Sequence, residues 1–360
     1  MDLTPKEIYH TVRRLQTLIE TERSSWEYTS LSLAERADYW RRGFLSRAAV
    51  LYDFERYDPR SYLTDYERFV KTRGINGRFG IALDDKLLFH RVMDGFEDRL
   101  PKLYGIIEEG TFRPIAGPGE ARGRARPATE WVEETIEPGE TRVLKWVIGG
   151  GGHNVLVLSR TDDGWRLDGE AISRGELYER LRDLDEYVVT GFAEQAAYAD
   201  ELFSGSANTL RLVTMWNPEE DEPFVARGIH RIGTRETAPM DNWSRGGLGA
   251  EIDLATGELG EAVTFPFDGE LVRHESHPDT GTRIEGTTIP GWERIREGLL
   301  EMAETVPYLP YAGWDLVVTA EGKFEVVEAN GYPGVKSLQV HRPLLLDGRI
   351  RRFYTAHGVR

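Results

Sequence analysis

The chain contains no cysteine. Disulfides, thiolate metal sites and a cysteine nucleophile are thereby excluded, and any chemistry must run on oxygen, nitrogen or bound cofactors. Lysine is almost as scarce, supplying seven of the 45 basic residues in a chain whose formal net charge is -16. That surplus of negative charge repels nucleic acid and anionic membrane over most of the surface. Neither is an expected partner, and anions can bind only at specific local sites. The preference for arginine fits codon bias as well as salt tolerance and carries no weight for function. Long apolar runs are missing too: none approaches the roughly 18 residues of a membrane span. Met1-Asp2-Leu3-Thr4-Pro5-Lys6 lacks the basic-then-apolar order of a secretion signal. The expectation is a cytoplasmic protein without membrane insertion.

What is present is ample core material. With 40% hydrophobic residues in a length of 360, the chain can form two domains or one elaborate one. Apolar positions recur at helical spacing through Ile8, Val12, Leu15, Leu18 and Ile19, then through Leu33, Ala37, Trp40 and Phe44, with Ser32 and Glu35 as a capping box. The aromatics of this region, among them Trp26, Trp40, Phe44 and Tyr52, read as packing rather than as a cofactor cage. Turn signals bracket a predicted helix over 62–71, and another is predicted over 84–95. A strand over 103–107 and a Gly-, Pro- and Arg-rich connection over 117–127 follow. Beyond it strands and helices mix, with strands predicted over 141–148, 154–158, 187–189, 209–214 and 224–229 and helices over 175–184, 194–202 and 292–305.

The most informative segment runs from Gly313 to Asn330 and reads as a β-hairpin turning at Glu321-Gly322. With that two-residue loop, Ala320 pairs with Lys323, Asp315 lies across from Glu328, and Asn330 shares their face. Facing acids destabilise a hairpin unless a hard, oxygen-seeking cation compensates, and magnesium fits best. Two acids on a water-facing hairpin would explain the spacing equally well. Leu316, Val317 and Val326 imply that both faces are buried, which favours a cation.

Lys145, on a strand, precedes Gly149-Gly150-Gly151-Gly152-His153. Glycines let backbone N–H groups close over phosphate oxygens, and a nearby lysine adds a point charge. The pattern is neither a P-loop nor a dinucleotide fingerprint, because a strand follows. A flexible hairpin tip is the plainer alternative. Arginines stand on or beside strands in Asn208-Thr209-Leu210-Arg211, Gly228-Ile229-His230-Arg231 and Asn242-Trp243-Ser244-Arg245. They can grip phosphate or carboxylate bidentately or form ordinary surface ion pairs. His274 and His277 have zinc-like spacing, but Pro278-Asp279-Thr280-Gly281 reads as a turn and makes a substrate-side loop the preferred reading.

Taken in order, the lysine with its glycine loop, Asn208-Thr209-Leu210-Arg211, Asn242 with Arg245-Gly246-Gly247, Gly313-Trp314-Asp315 and Glu328-Ala329-Asn330-Gly331-Tyr332-Pro333-Gly334 resemble the ATP-grasp superfamily. Within it the chain resembles the sugar-transfer-associated ATP-grasp family, akin to glutamate-ligating enzymes, over about residues 60–350. The resemblance implies an α+β ATP-grasp fold in which two α+β lobes grip ATP, preceded by an N-terminal helical region. The implied division is helical over 1–75, linking α/β over 76–130, nucleotide lobe with lid over 131–205 and catalytic lobe over 206–360.

The same resemblance implies nucleotide contacts from Lys86 and Lys145, with Gly149, Gly150, Gly151 and Gly152 as lid. Val188, Val189 and Thr190 would form the adenine hinge, Thr190 standing where relatives often carry glutamate. Asp315, Glu328 and Asn330 would hold magnesium, and Arg211 and Arg231 would serve catalysis. Asn208, Asn242, Arg245 and His277 would face the substrate. The implied cofactors are ATP and Mg2+, and the partner is a small-molecule or glycan-related substrate. The expected reaction is carboxylate–amine ligation through an acyl phosphate. A kinase acting on a sugar or other hydroxyl, and a catalytically silent nucleotide-binding protein, are the alternatives.

Overall fold

The computed structural model describes residues 5–116, 123–149 and 154–360. Gly150, Gly151, Gly152 and most of the 117–127 connection lie outside the described residues. Two antiparallel sheets carry the fold. The first comprises β1 (Leu103–Glu108), β2 (Thr111–Pro114), β3 (Arg126–Pro127), β4 (Thr141–Trp146), β5 (Val155–Thr161), β6 (Gly164–Leu167), β7 (Glu170–Ile172) and β8 (Tyr187–Gly191), in the order β3-β2-β1-β8-β4-β5-β6-β7. The second comprises β9 (Leu210–Asn217), β10 (Glu222–Ile232), β11 (Leu248–Ile252), β12 (Leu259–Thr264), β13 (Arg273–His274), β14 (Tyr311–Ala320) and β15 (Lys323–Asn330), in the order β13-β12-β11-β10-β9-β14-β15. The expected division at 130/131 runs through the first sheet, since β8 pairs with both β1 and β4.

Strand alternation decides which face of the first sheet meets the core. Leu144 and Leu158 pack against Trp131 and Val132 of the helix Ala128–Thr135 and against Leu177 and Leu181 of the helix Arg174–Arg182. Their neighbours Val143, Lys145, Val155 and Val157 point the other way, into a cavity between the sheets. The second sheet is covered on one face by the helix Trp292–Glu304, whose Ile295, Leu299 and Met302 meet Leu212, Trp314 and Val326. On the opposite face, Val213, Met215 and Tyr311 pack under Phe353 and Tyr354 of the C-terminal helix Gly348–Ala356. Arg211 and Asp315, one strand step from that core, face the cavity instead.

The N-terminal region is helical over Pro5–Ser25 and Leu33–Arg41, and the Ser32–Glu35 capping box forms. Phe44, Tyr52 and Tyr62 pack with Trp243 and Phe265 beside the second sheet, whereas Trp26 and Trp40 stay exposed. Two expected helices differ. The segment 62–71 becomes helical only at Asp65, as a wide turn over Glu67–Lys71 that runs on into a tighter turn at Thr72–Gly74. The helix over 84–95 is broken at Asp85, which is extended and bridges Ile148, splitting the segment into Ile81–Asp84 and Lys86–Val92. Asp85 caps the second piece, its Oδ1 accepting from the amides of Leu87 and Leu88 at 2.9 Å each. The break brings Lys86 to the edge of the first sheet, where its amide donates to the Val147 carbonyl at 2.9 Å.

Candidate functional site

The β14–β15 hairpin turns at Glu321-Gly322, with Gly322 at a φ of 69° that suits glycine. Ala320 pairs with Lys323 and Asp315 with Glu328, although the register is irregular between. Thr319 is an extra residue on one strand and Val327 on the other, so the two irregularities cancel and restore the simple count. The bulge at Val327 has a use. Its carbonyl accepts from Lys145 Nζ at 2.7 Å, tying the first sheet to the hairpin of the second.

Around this hairpin four cations, Lys86, Lys145, Arg211 and Arg231, meet three carboxylates, Asp241, Asp315 and Glu328. Arg211, directly opposite Asp315 on β9, clasps both of its oxygens, with Nη2 at 2.6 Å from Oδ2. Arg231 on β10 adds a contact to Asp315 Oδ2 at 3.1 Å. Lys86 Nζ stands 3.4 Å from Glu328 Oε1 and donates to the Gly149 carbonyl at 2.6 Å. Asp315 is 1% exposed. Burial alone would raise its carboxyl, but Arg211 and Arg231 hold it below the ordinary value. Arg211 is correspondingly raised: burial pulls it down, and Asp315 more than reverses this. Lys145 is pushed down to about 8 by burial and then by neighbouring Lys86.

A cavity of about 1250 Å³ between the sheets is lined by Lys86, Lys145, Gly149, Thr190, Arg211, Arg231, Asn242, Arg245, Asp315, Glu328 and Asn330. Val188 and Val189 are fully buried within β8 and lie outside that lining, so only Thr190 of the expected hinge faces the cavity. Two buried polar atoms on its wall, Thr190 Oγ1 and Asn330 Nδ2, have no hydrogen-bond partner among the described residues. Orphans of this kind point to a bound group that completes them. Asn242 accepts from the Ser244 amide at 3.0 Å and caps the turn Trp243–Arg245, which holds Arg245 at the rim.

Asn208 and His277 are placed differently from the other expected substrate residues. Both are 1% exposed and lie outside the lining. Asn208 accepts from Ser206 Oγ and the Gly233 amide and donates to the carbonyls of Ala199 and Phe203. His277 stacks on Phe203 and bonds the Gly233 carbonyl at 2.8 Å. Together they brace the loop beside Arg231. Sequence reading missed Thr209 and Asp241. Thr209 Oγ1 accepts from Arg231 Nη2 at 2.6 Å, and its amide donates to Asp241 Oδ2 at 2.9 Å, which fixes the arginine's aim. It also missed Arg68 and Lys336 in the cavity lining. Lysine scarcity was the available signal, because three of the seven lysines line this one cavity.

Residues 64–353 match the family described as sugar-transfer associated ATP-grasp. The chain belongs to that family. Its α+β architecture, with helices ahead of two antiparallel sheets, is the ATP-grasp fold. No curated protein matches this ATP-grasp chain. Among solved structures it is similar to an ADP complex of purK, N5-carboxyaminoimidazole ribonucleotide synthetase, at TM-score 0.38 and 11% identity, over 71% of this chain and 46% of that one. It is also similar to the D-alanine-D-alanine ligase from Coxiella burnetii, at TM-score 0.36 and 12% identity, over 77% and 58% of the two chains. A third is the ATP-grasp ligase PsnB complexed with minimal precursor, at TM-score 0.37 and 12% identity, over 79% and 64%. The ATP-grasp chain thus spans about half the length of the first of these structures. Likeness this distant says nothing of substrate.

The donor set of this ATP-grasp site fits a metal–polyphosphate. Among the described residues Glu328 has Lys86 as its one ion-pair partner, and the unsatisfied Asn330 Nδ2 is a donor suited to a phosphate oxygen, which leaves its Oδ1 as the atom that would face a metal. Asp315 is the more crowded candidate. Arg211 and Arg231 occupy three of the about four lone-pair positions of a carboxylate, leaving one on Oδ1. Among the described residues no helix is long and apolar enough to cross a membrane.

Proposed function

We propose that this chain is an ATP- and magnesium-dependent carboxylate–amine ligase, in which a substrate carboxylate is phosphorylated and an amine displaces phosphate from the acyl phosphate to form an amide. The observation that carries the reading is the convergence of four cations, Lys86, Lys145, Arg211 and Arg231, on three carboxylates, Asp241, Asp315 and Glu328, in the cavity wall. Cations in excess of carboxylates, in a chain of net charge -16, need an anion, and a triphosphate with its metal supplies one. Lys86 and Lys145 would hold phosphates, Thr190 would meet the base or ribose, and Asp315, Glu328 and Asn330 would hold Mg2+. The metal would neutralise charge on the transferring phosphoryl group.

The chain's own residues orient and stabilise. Arg231, aimed by Thr209 and Asp241, is set to bind the substrate carboxylate and the oxygens of the transferring group. A carboxylate substrate is already ionised, so its attack requires no proton removal. Of the carboxylates beside the arginine pair, Asp315 is held by cations, whereas Asp241 gives only Oδ2 to Thr209 and burial raises its carboxyl, which suits it to take the proton that the attacking amine must lose. No histidine lines the cavity among the described residues, and no covalent protein intermediate is needed.

The test is product analysis with ATP, Mg2+ and a panel of carboxylates, amines and sugars. Release of ADP and free phosphate that requires both a carboxylate and an amine supports the ligase. Phosphate retained on a hydroxyl acceptor replaces it with the kinase reading. Absence of nucleotide binding sinks both.

A further inference from the structure

The cavity lining holds two cations that the nucleotide reading does not use. Arg68 comes from the N-terminal half and Lys336 from the short helix Lys336–Gln339 that follows the hairpin. Arg68 stacks on Tyr332, its guanidinium carbon 3.6 Å from the ring centroid, and on Phe69 at 4.5 Å. Among the described residues the guanidinium donates one hydrogen bond, to the Tyr332 carbonyl at 3.3 Å, while the Arg68 carbonyl accepts from the Tyr332 hydroxyl at 2.7 Å. Lys336 Nζ lies 4.8 Å from the Phe265 ring centroid and, among the described residues, bonds only Ser244 Oγ, at 3.1 Å.

Neither cation has a salt-bridge partner among the described residues. The nearby acids are already committed. Asp65 is held by Arg47 and by the Leu45 amide at 2.9 Å, and Glu67 by Arg360 and the Thr64 amide, each at 2.9 Å. Two unneutralised cations set against aromatic rings in one cavity wall are unfavourable without an anion, and doubly so in a chain this acidic. Stacking fixes the plane of the Arg68 guanidinium, which prepares it for a planar or tetrahedral oxyanion.

We propose that Arg68 and Lys336, with Ser244, form a second anion subsite that grips an acidic group of the substrate other than the one that reacts. The substrate is therefore a small molecule with two acidic groups, the second being a carboxylate or a phosphate, and neutral sugars and simple monoacids are poor substrates. The substrate assignment rests on the ligase reading, whereas the anion subsite stands on its own geometry. Burial first, and then the Arg47 charge, push Lys336 down to about 7, with Asp65 opposing and Arg68 adding to the shift. A lysine so poised gains its proton as an anion arrives.

The experiment titrates the full chain, saturated with Mg·ADP, with succinate, inorganic phosphate and acetate by calorimetry. The wild type is expected to bind succinate or phosphate at least about ten-fold tighter than acetate, and Arg68→Met and Lys336→Met are each expected to lose about ten- to a hundred-fold of that affinity. Arg68→Lys retains part of it. Mg·ADP affinity, unchanged in all variants, reports that they fold. Whichever anion loses more on substitution identifies the group as carboxylate or phosphate. Equal anion affinity in wild type and both Met variants, or no preference over acetate in the wild type, overturns the subsite. The titration is repeated without nucleotide, so a failure of Mg·ADP to bind counts against the nucleotide reading alone.

Discussion

Replacing Lys145 by Met tests the nucleotide end of the cavity most directly. The ammonium is 7% exposed, donates to the Val327 carbonyl, and titrates near 8 rather than 10.5 because of burial and the adjacent Lys86 charge, with Glu328 and Asp315 opposing. A charge-assisted hydrogen bond to a phosphate is worth about 1.5–3 kcal/mol, so the variant should lose roughly ten- to a hundred-and-fifty-fold in nucleotide affinity. The pH dependence is the sharper readout. Bound phosphate favours the charged lysine, so binding takes up a proton where the free protein has lost it. Wild-type affinity should be level well below pH 8 and fall towards ten-fold per unit above it. Lys145→Met should be weaker and lack that component of the slope.

Folding stability moves in the opposite sense. Between about 8 and 10.5 the unfolded chain binds more protons at this lysine than the folded one, so the wild type should gain stability as pH rises through that window, and the variant should not. Nucleotide affinity by calorimetry and urea midpoints from pH 6 to pH 10 measure both. A wild-type binding profile that stays level through pH 9.5, or a variant that keeps the full slope, refutes the reasoning.

Glu328→Gln should raise the magnesium concentration needed for ATP turnover by about ten-fold or more while the protein stays folded, as read by a Mg2+ titration of ADP release. Asp315→Ala strands Arg211 and Arg231 without their buried partner and should cost about 3–5 kcal/mol in urea unfolding; a loss below about 1 kcal/mol would show that the pair contributes little. Asn208→Ala empties a site that satisfies four neighbours and should destabilise by about 1–3 kcal/mol per unsatisfied buried group, without a selective rise in substrate KM. A selective KM effect at unchanged stability would instead make Asn208 a substrate contact. In the second anion subsite, succinate affinity should weaken as pH climbs past about 7 in wild type and be level in Lys336→Met.

Much of the site was legible because its determinants are local. Two-residue turn chemistry at Glu321-Gly322 and strand alternation were enough to pair Asp315 with Glu328, and the count survived only because bulges at Thr319 and Val327 compensate. The capping box at Ser32 and the break signalled by Asp85 are likewise local, although the break was read as a continuous helix because its extended conformation depends on a bridge to Ile148, far along the chain. The seven-lysine economy, the absence of cysteine and the order of motifs belong to the sequence alone.

Tertiary structure decided the rest, because a residue's role follows from what shares its environment and not from its spacing. Asn208 and His277 carry the same residue types as substrate contacts, yet burial and filled hydrogen bonds make them braces behind the cavity wall. Asp315, expected simply as a metal ligand, proves to be clasped by Arg211 and Arg231, a partnership set by the adjacency of β9, β10 and β14 in one sheet. Arg68 and Lys336, far apart in sequence, line one cavity only because the N-terminal half folds back onto the end of the hairpin. Sequence determines which groups are available and their local geometry, while long-range packing sets their dielectric surroundings and partners, and those determine the chemistry.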